Sequence, residues 1–103
     1  MSLDIELTDK EETLFSANIT HNLTKMWSEA GVYDALYKSD GKDAHSVLST
    51  LEAGLEHLKS DPTHFSQFNA ENSWGLYKHA VPWLEELVLN FKKFPDATIE
   101  LGK

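Results

Sequence analysis

Five histidines, His21, His45, His57, His64 and His79, are the side chains best suited to metal binding or proton transfer. No two are four apart, the spacing that sets two imidazoles on one helix face, and there is no cysteine to complete a ligand set. His57 and Asp61 have that spacing, but Pro62 stops a helix there, so no metal site is expected. Serines and threonines are plentiful, yet no Gly-x-Ser-x-Gly elbow is present to hold one as a nucleophile. The five glycines are scattered and no Gly-Lys-Ser/Thr occurs, which removes a phosphate-cradling loop. Glu11-Glu12 and Glu85-Glu86 are adjacent pairs that read as solvated charge, and no cofactor is implied.

Two polar and aromatic clusters remain, residues 18–22 (Asn-Ile-Thr-His-Asn) and 69–77 (Asn-Ala-Glu-Asn-Ser-Trp-Gly-Leu-Tyr). Each falls at an expected helix start. Asn18 or Thr20, and Asn72 or Ser73, have the short polar side chains that cap a first turn, with Trp74 and Tyr77 as core anchors. One cap per helix leaves a surplus of His21, Asn22, Asn69 and Tyr77. The candidate ligand-binding set is therefore Thr20, His21, Asn22, Asn69, Asn72, Trp74 and Tyr77. Facing helix N-termini would attract a polar or anionic ligand, Trp74 and Tyr77 would wall it, and His21 is the group able to move a proton.

The elements that must position these clusters are legible from periodicity. Leu3, Ile5 and Leu7 alternate with Asp4, Glu6 and Thr8, predicting a strand over 3–8. Residues 9–12 form a charged loop, and Thr13 to Ala17 return as the antiparallel partner. From Ile19 the spacing becomes helical through Leu23, Met26, Trp27 and Ala30, with Gly31 just past the end. Residues 32–37 continue as a short second helix. Asp43 opens a helix on Val47, Leu48, Leu51, Leu55 and Leu58, inside which Gly54 implies close approach by another element. Asp61 and Pro62 have the cap and first-position preferences of a one-turn helix. The last helix is expected from about Ser73 to Phe94, kinked or restarted near Pro82, before a final strand over 98–101. The fold class is α+β: four or five helices on a small antiparallel sheet made by the N-terminal hairpin and the C-terminal strand.

At 103 residues the chain suits one core, and 41% hydrophobic with 25% charged residues is a globular composition. Seventeen acidic against nine basic residues give a net charge of −8, which disfavours contact with a phosphate backbone. No apolar run approaches the ~18 residues of a membrane helix, and the N-terminus lacks a signal-peptide pattern, so a cytoplasmic location is expected. Asn18-Ile19-Thr20 and Asn22-Leu23-Thr24 match a glycosylation sequon, which has no consequence without secretion.

Beyond these physical readings, the chain resembles a family of small uncharacterised proteins from bacteria and their phages. The resemblance rests on Asn-Ile-Thr-His-Asn-Leu at Asn18 to Leu23, Ala-Gly-Val-Tyr at Ala30 to Tyr33, Glu71-Asn72 followed by Trp74-Gly75-x-Tyr77, and Phe94-Pro95-Asp96-Ala97. It spans residues 14 to 101. The family pattern often has glycine where Ser73 stands. The resemblance implies a bacterial or phage cytoplasmic protein and supplies no reaction. The function expected is a non-enzymatic binding module for a protein partner; the alternative is a small enzyme or ligand-binding domain with a pocket built by residues 18–22 and 69–77.

Overall fold

The computed structural model describes residues 2–69 and 76–103. Strand β1 (Ser2–Asp9) and strand β2 (Glu12–Thr20) form an antiparallel hairpin, and strand β3 (Thr98–Gly102) pairs antiparallel with the other side of β1. The sheet order is β2-β1-β3. Five helices complete the described fold: α1 (Thr24–Ala30), α2 (Tyr33–Tyr37), α3 (Ala44–Ser60), α4 (Pro62–Ser66) and α5 (Tyr77–Lys93). The α+β architecture expected from the sequence is the one observed.

Alternation along the strands sends one set of side chains to each face. Leu3, Ile5 and Leu7 lie on the covered face with Phe15, Ala17 and Ile19 of β2 and Ile99 and Leu101 of β3 beside them. That face meets a helical layer in which Trp27, Leu36, Leu51, Phe65, Leu84 and Phe91 are buried in the same cluster. Helices α3 and α5 run antiparallel, because ion pairs join Lys59 to Glu85 (3.1 Å) and Lys92 to Glu52 (3.0 Å) in opposite chain directions.

Gly54 faces the segment between α1 and α2. A methyl group there would press into Val32 Cγ1 and lie 3.2 Å from the Ala30 carbonyl oxygen, which is the close approach its place in a helix implied. Gly31 ends α1 in the left-handed region (φ 85°), as a C-terminal glycine does at little steric cost. Asp61 and Pro62 also behave as expected: the Asp61 carboxylate accepts from the His64 backbone N–H, and Pro62 opens α4.

The expected starts of the first and last helices need correction. Ile19 belongs to β2, paired with Leu3, and not to a first helix; the hairpin carries its pairing out to Ser2 and Thr20, and this ladder outcompetes the helical spacing from 19 to 23. A short 3₁₀ turn (His21–Leu23) then leads into α1. Asn18 caps nothing and donates from β2 to Ser2 Oγ and to the Asp4 carboxylate. Helix α5 begins at Tyr77 and not near Ser73, since Leu76 is extended (φ −106°, ψ 150°). The proposed caps Asn72 and Ser73 lie outside the described residues. Pro82 lies inside α5, which runs through it as one helix, so of the two outcomes expected there the restart does not occur.

Candidate functional site

The residues singled out by type fall into separate local environments. Thr20 caps the 3₁₀ turn, its Oγ1 accepting from the Asn22 backbone N–H at 3.2 Å. His21 follows and shares a 2.9 Å hydrogen bond through Nδ1 with the Tyr37 hydroxyl on α2. Tyr37 in turn stacks on Tyr33, with centroids 4.7 Å apart. Burial, then the neighbouring Tyr33, pushes the Tyr37 hydroxyl up to about 12. It therefore keeps its proton at neutral pH and can donate to His21 Nδ1. Asn22 is exposed.

Asn69 and Tyr77 form the other group. The Asn69 side-chain oxygen accepts from the Tyr77 backbone N–H at 2.6 Å, so the cap of α5 comes from eight residues upstream. The Tyr77 hydroxyl donates to the Leu58 carbonyl at 2.6 Å, satisfying an acceptor in the last turn of α3. Asn72 and Trp74 lie outside the described residues. Among the described residues, no hydrogen bond or ring contact joins His21 to Tyr77: one reaches α2 and the other α3. Thr20, His21, Asn69 and Tyr77 each have a hydrogen bond that holds the fold.

Two of the remaining histidines also make side-chain hydrogen bonds. His64 Nε2 donates to Glu29 at 3.0 Å while its Nδ1 accepts from the Gln67 amide, tying α4 to α1. His45 Nδ1 donates to the Pro95 carbonyl at 3.0 Å. Among the described residues there is no group of three or more His, Asp or Glu side chains able to hold a metal ion. A shallow depression of about 410 Å³ is bordered by Asp34, Lys38, Lys42, Ser46 and Thr50. Its two lysines are surface groups, and Lys38 pairs with Asp34 at 3.7 Å.

The feature that sequence reading passed over is the second face of the sheet. Ser2, Asp4, Glu6 and Thr8 of β1 point away from the covered side, with Ser16, Asn18 and Thr20 on one flank and Thr98, Glu100 and Gly102 on the other. None of these side chains is buried. Glu6 stands directly opposite Glu100, and Asp4 lies two residues along the same row. Like charges facing one another across a ladder oppose pairing, typically by a fraction of 1 kcal/mol. Thr13 Oγ1 donates to Glu6 and Asn18 to Asp4, so two of the three carboxylates have a neutral donor, but no cation pairs with them among the described residues. The signal was present in the alternation of β1 and β3; what was missing was the register that sets Glu6 against Glu100.

No protein-family model, no curated protein and no solved structure significantly matches this chain. Among the described residues no helix is long and apolar enough to cross a membrane.

Proposed function

We propose that this chain is a non-enzymatic binding module whose contact surface is the helix-free face of the sheet, and that its partner is a protein with a basic patch. The observation that carries the reading is the direct opposition of Glu6 and Glu100 on an open face, with Asp4 in the same row. An arrangement that works against strand pairing and has no cation paired with it among the described residues is better matched by a partner's lysines or arginines than by water alone. The net charge of −8 adds long-range attraction for such a partner and repels nucleic acid. The resemblance to small bacterial and phage proteins fits a cytoplasmic module of this kind.

The test is retention of a basic protein from a bacterial extract by the immobilised chain at low salt. Glu6→Gln/Glu100→Gln should lose that protein. Glu56→Gln/Glu86→Gln, which removes the same charge from exposed positions on α3 and α5, should keep it. Equal retention by both variants, or equal loss, sinks the assignment of the sheet face.

A further inference from the structure

The chain holds a single Asp-Gly step, Asp40-Gly41, and no Asn-Gly. Aspartate before glycine is the pairing in which a side chain most readily closes on the backbone, because glycine has no Cβ to shield its nitrogen from the neighbouring carboxyl carbon. Both residues are exposed, in the loop between α2 and α3. Their reacting groups are nevertheless held by β3. The Gly41 backbone N–H donates to the Ile99 carbonyl at 2.8 Å, and the Asp40 carboxylate accepts from the Leu101 N–H at 2.9 Å. A third bond, from the Ile99 N–H to the Lys42 carbonyl at 2.8 Å, fixes the loop just beyond the glycine. Ile99 and Leu101 therefore direct their N–H groups away from β1, and the loop lies along that outer side of the strand.

We infer that Asp40-Gly41 is a self-modification site that β3 holds shut, and that its isoaspartyl product disables the latch. When the strand lets go, the Gly41 nitrogen bonds to Asp40 Cγ; the Cγ–O bond of the protonated carboxyl breaks, and its hydroxyl leaves as water with the nitrogen's proton. Water then opens the succinimide ring. Attack at Cγ restores aspartate, whereas attack at the Asp40 main-chain carbonyl breaks that carbon's bond to Gly41 and leaves the chain running through the side chain. The sum is an isomerisation: a water leaves, a water returns, and the mass is unchanged. The product has an extra main-chain carbon before Gly41, which takes Gly41 and Lys42 out of register with Ile99. Its carboxylate sits directly on Cα, out of place for the Leu101 N–H. Glu100 lies on the strand so released, and the change therefore also loosens the acidic face. The chemistry itself does not depend on what that face binds.

The test incubates the folded chain, and the same chain in concentrated urea, near neutral pH; isoaspartate is counted by enzymatic methylation and placed by peptide mapping. It should accumulate at residue 40 in urea and at least about tenfold more slowly in the folded chain, since three hydrogen bonds must open together. Asp40→Glu, whose longer side chain must close a larger and slower-forming ring, should remove that signal from the methylation count. Leu101→Pro removes the donor to Asp40 at an N–H that points away from β1, a placement where a strand tolerates proline. It should keep a folded circular dichroism spectrum and form isoaspartate faster than the parent. In aged parent protein the Ile99 and Leu101 amides should exchange faster than in fresh protein, a readout that needs no variant. Equal rates in the folded and unfolded chain, no isoaspartate at residue 40 in urea, or a count that ignores Asp40→Glu overturns the inference. So does a folded Leu101→Pro that ages at the parental rate, or aged protein whose exchange is unchanged.

Discussion

Replacing Gly54 by alanine sets two effects against each other. Alanine in a helix interior is favoured over glycine by about 1 kcal/mol, so on propensity alone the variant is more stable. The added methyl, however, presses into Val32 Cγ1 and sits 3.2 Å from the Ala30 carbonyl oxygen. Val32 is fully buried and its β-branched side chain has little rotamer freedom. Its backbone is held by the Val32 N–H to Trp27 (2.9 Å) and the Leu36 N–H to Val32 (3.0 Å), so the segment cannot step back without losing bonds. Overpacking of this kind costs about 1–3 kcal/mol, and contact with both a stiff side chain and a carbonyl puts it near the upper end. The net expectation is a loss of about 2 kcal/mol, read as a lower urea midpoint with unchanged slope. In a chain of this size that corresponds to a fall in Tm of roughly 8–16 °C. Val32→Ala vacates the space, so Gly54→Ala placed on that background should be neutral or stabilising. A single Gly54→Ala variant as stable as the parent would refute the packing argument.

Other perturbations follow from equally local features. Lys10 and Glu11 make the two-residue hairpin turn with positive φ at both positions (48° and 74°), a conformation that favours Asn-Gly. Lys10→Asn/Glu11→Gly should therefore raise stability by about 1–2 kcal/mol in a urea melt; no gain would mean the turn is not strained. Asn69→Ala removes the cap of α5 and should cost about 1 kcal/mol by the same assay, whereas a cost near zero would show the Tyr77 N–H to be satisfied otherwise. The raised hydroxyl of Tyr37, at about 12 against an ordinary 10.0, gives a pH signature. Its contribution is intact below pH 10.0, where folded and unfolded chains both hold the proton, and is lost as pH rises towards about 12, where the unfolded chain has released it. The urea midpoint should fall more steeply across that window in the parent than in Tyr37→Phe, and parallel curves would contradict the assignment.

Much of the fold was legible because burial wrote it into periodicity. The alternation of Leu3, Ile5 and Leu7 located β1, the stripe from Val47 to Leu58 located α3, and Gly54 announced its close contact. Misreadings came where two periods overlap or where a partner lies far along the chain. Ile19 satisfies both helical spacing with Leu23 and strand alternation with Phe15 and Ala17, and only pairing with Leu3 decides between them. The cap of α5 comes from Asn69, which local capping rules cannot locate at that distance. For the candidate residues, type suggested surplus polar groups, but the bonds of His21 to Tyr37 and of Tyr77 to Leu58 depend on tertiary contacts at separations of 16 and 19 residues. The acidic face escaped notice for a related reason: Glu6 and Glu100 are neighbours only through the register of β1 with β3.

The most direct test of the acidic-face account is charge reversal at Glu100, with stability and binding read on the same preparation. If the face is kept acidic for a partner, Glu100→Lys relieves the opposition to Glu6 and raises stability by a few tenths of a kcal/mol. The same change should abolish retention of the basic protein that the parent captures. A variant that is less stable than the parent, or one that still retains that protein, would contradict the account.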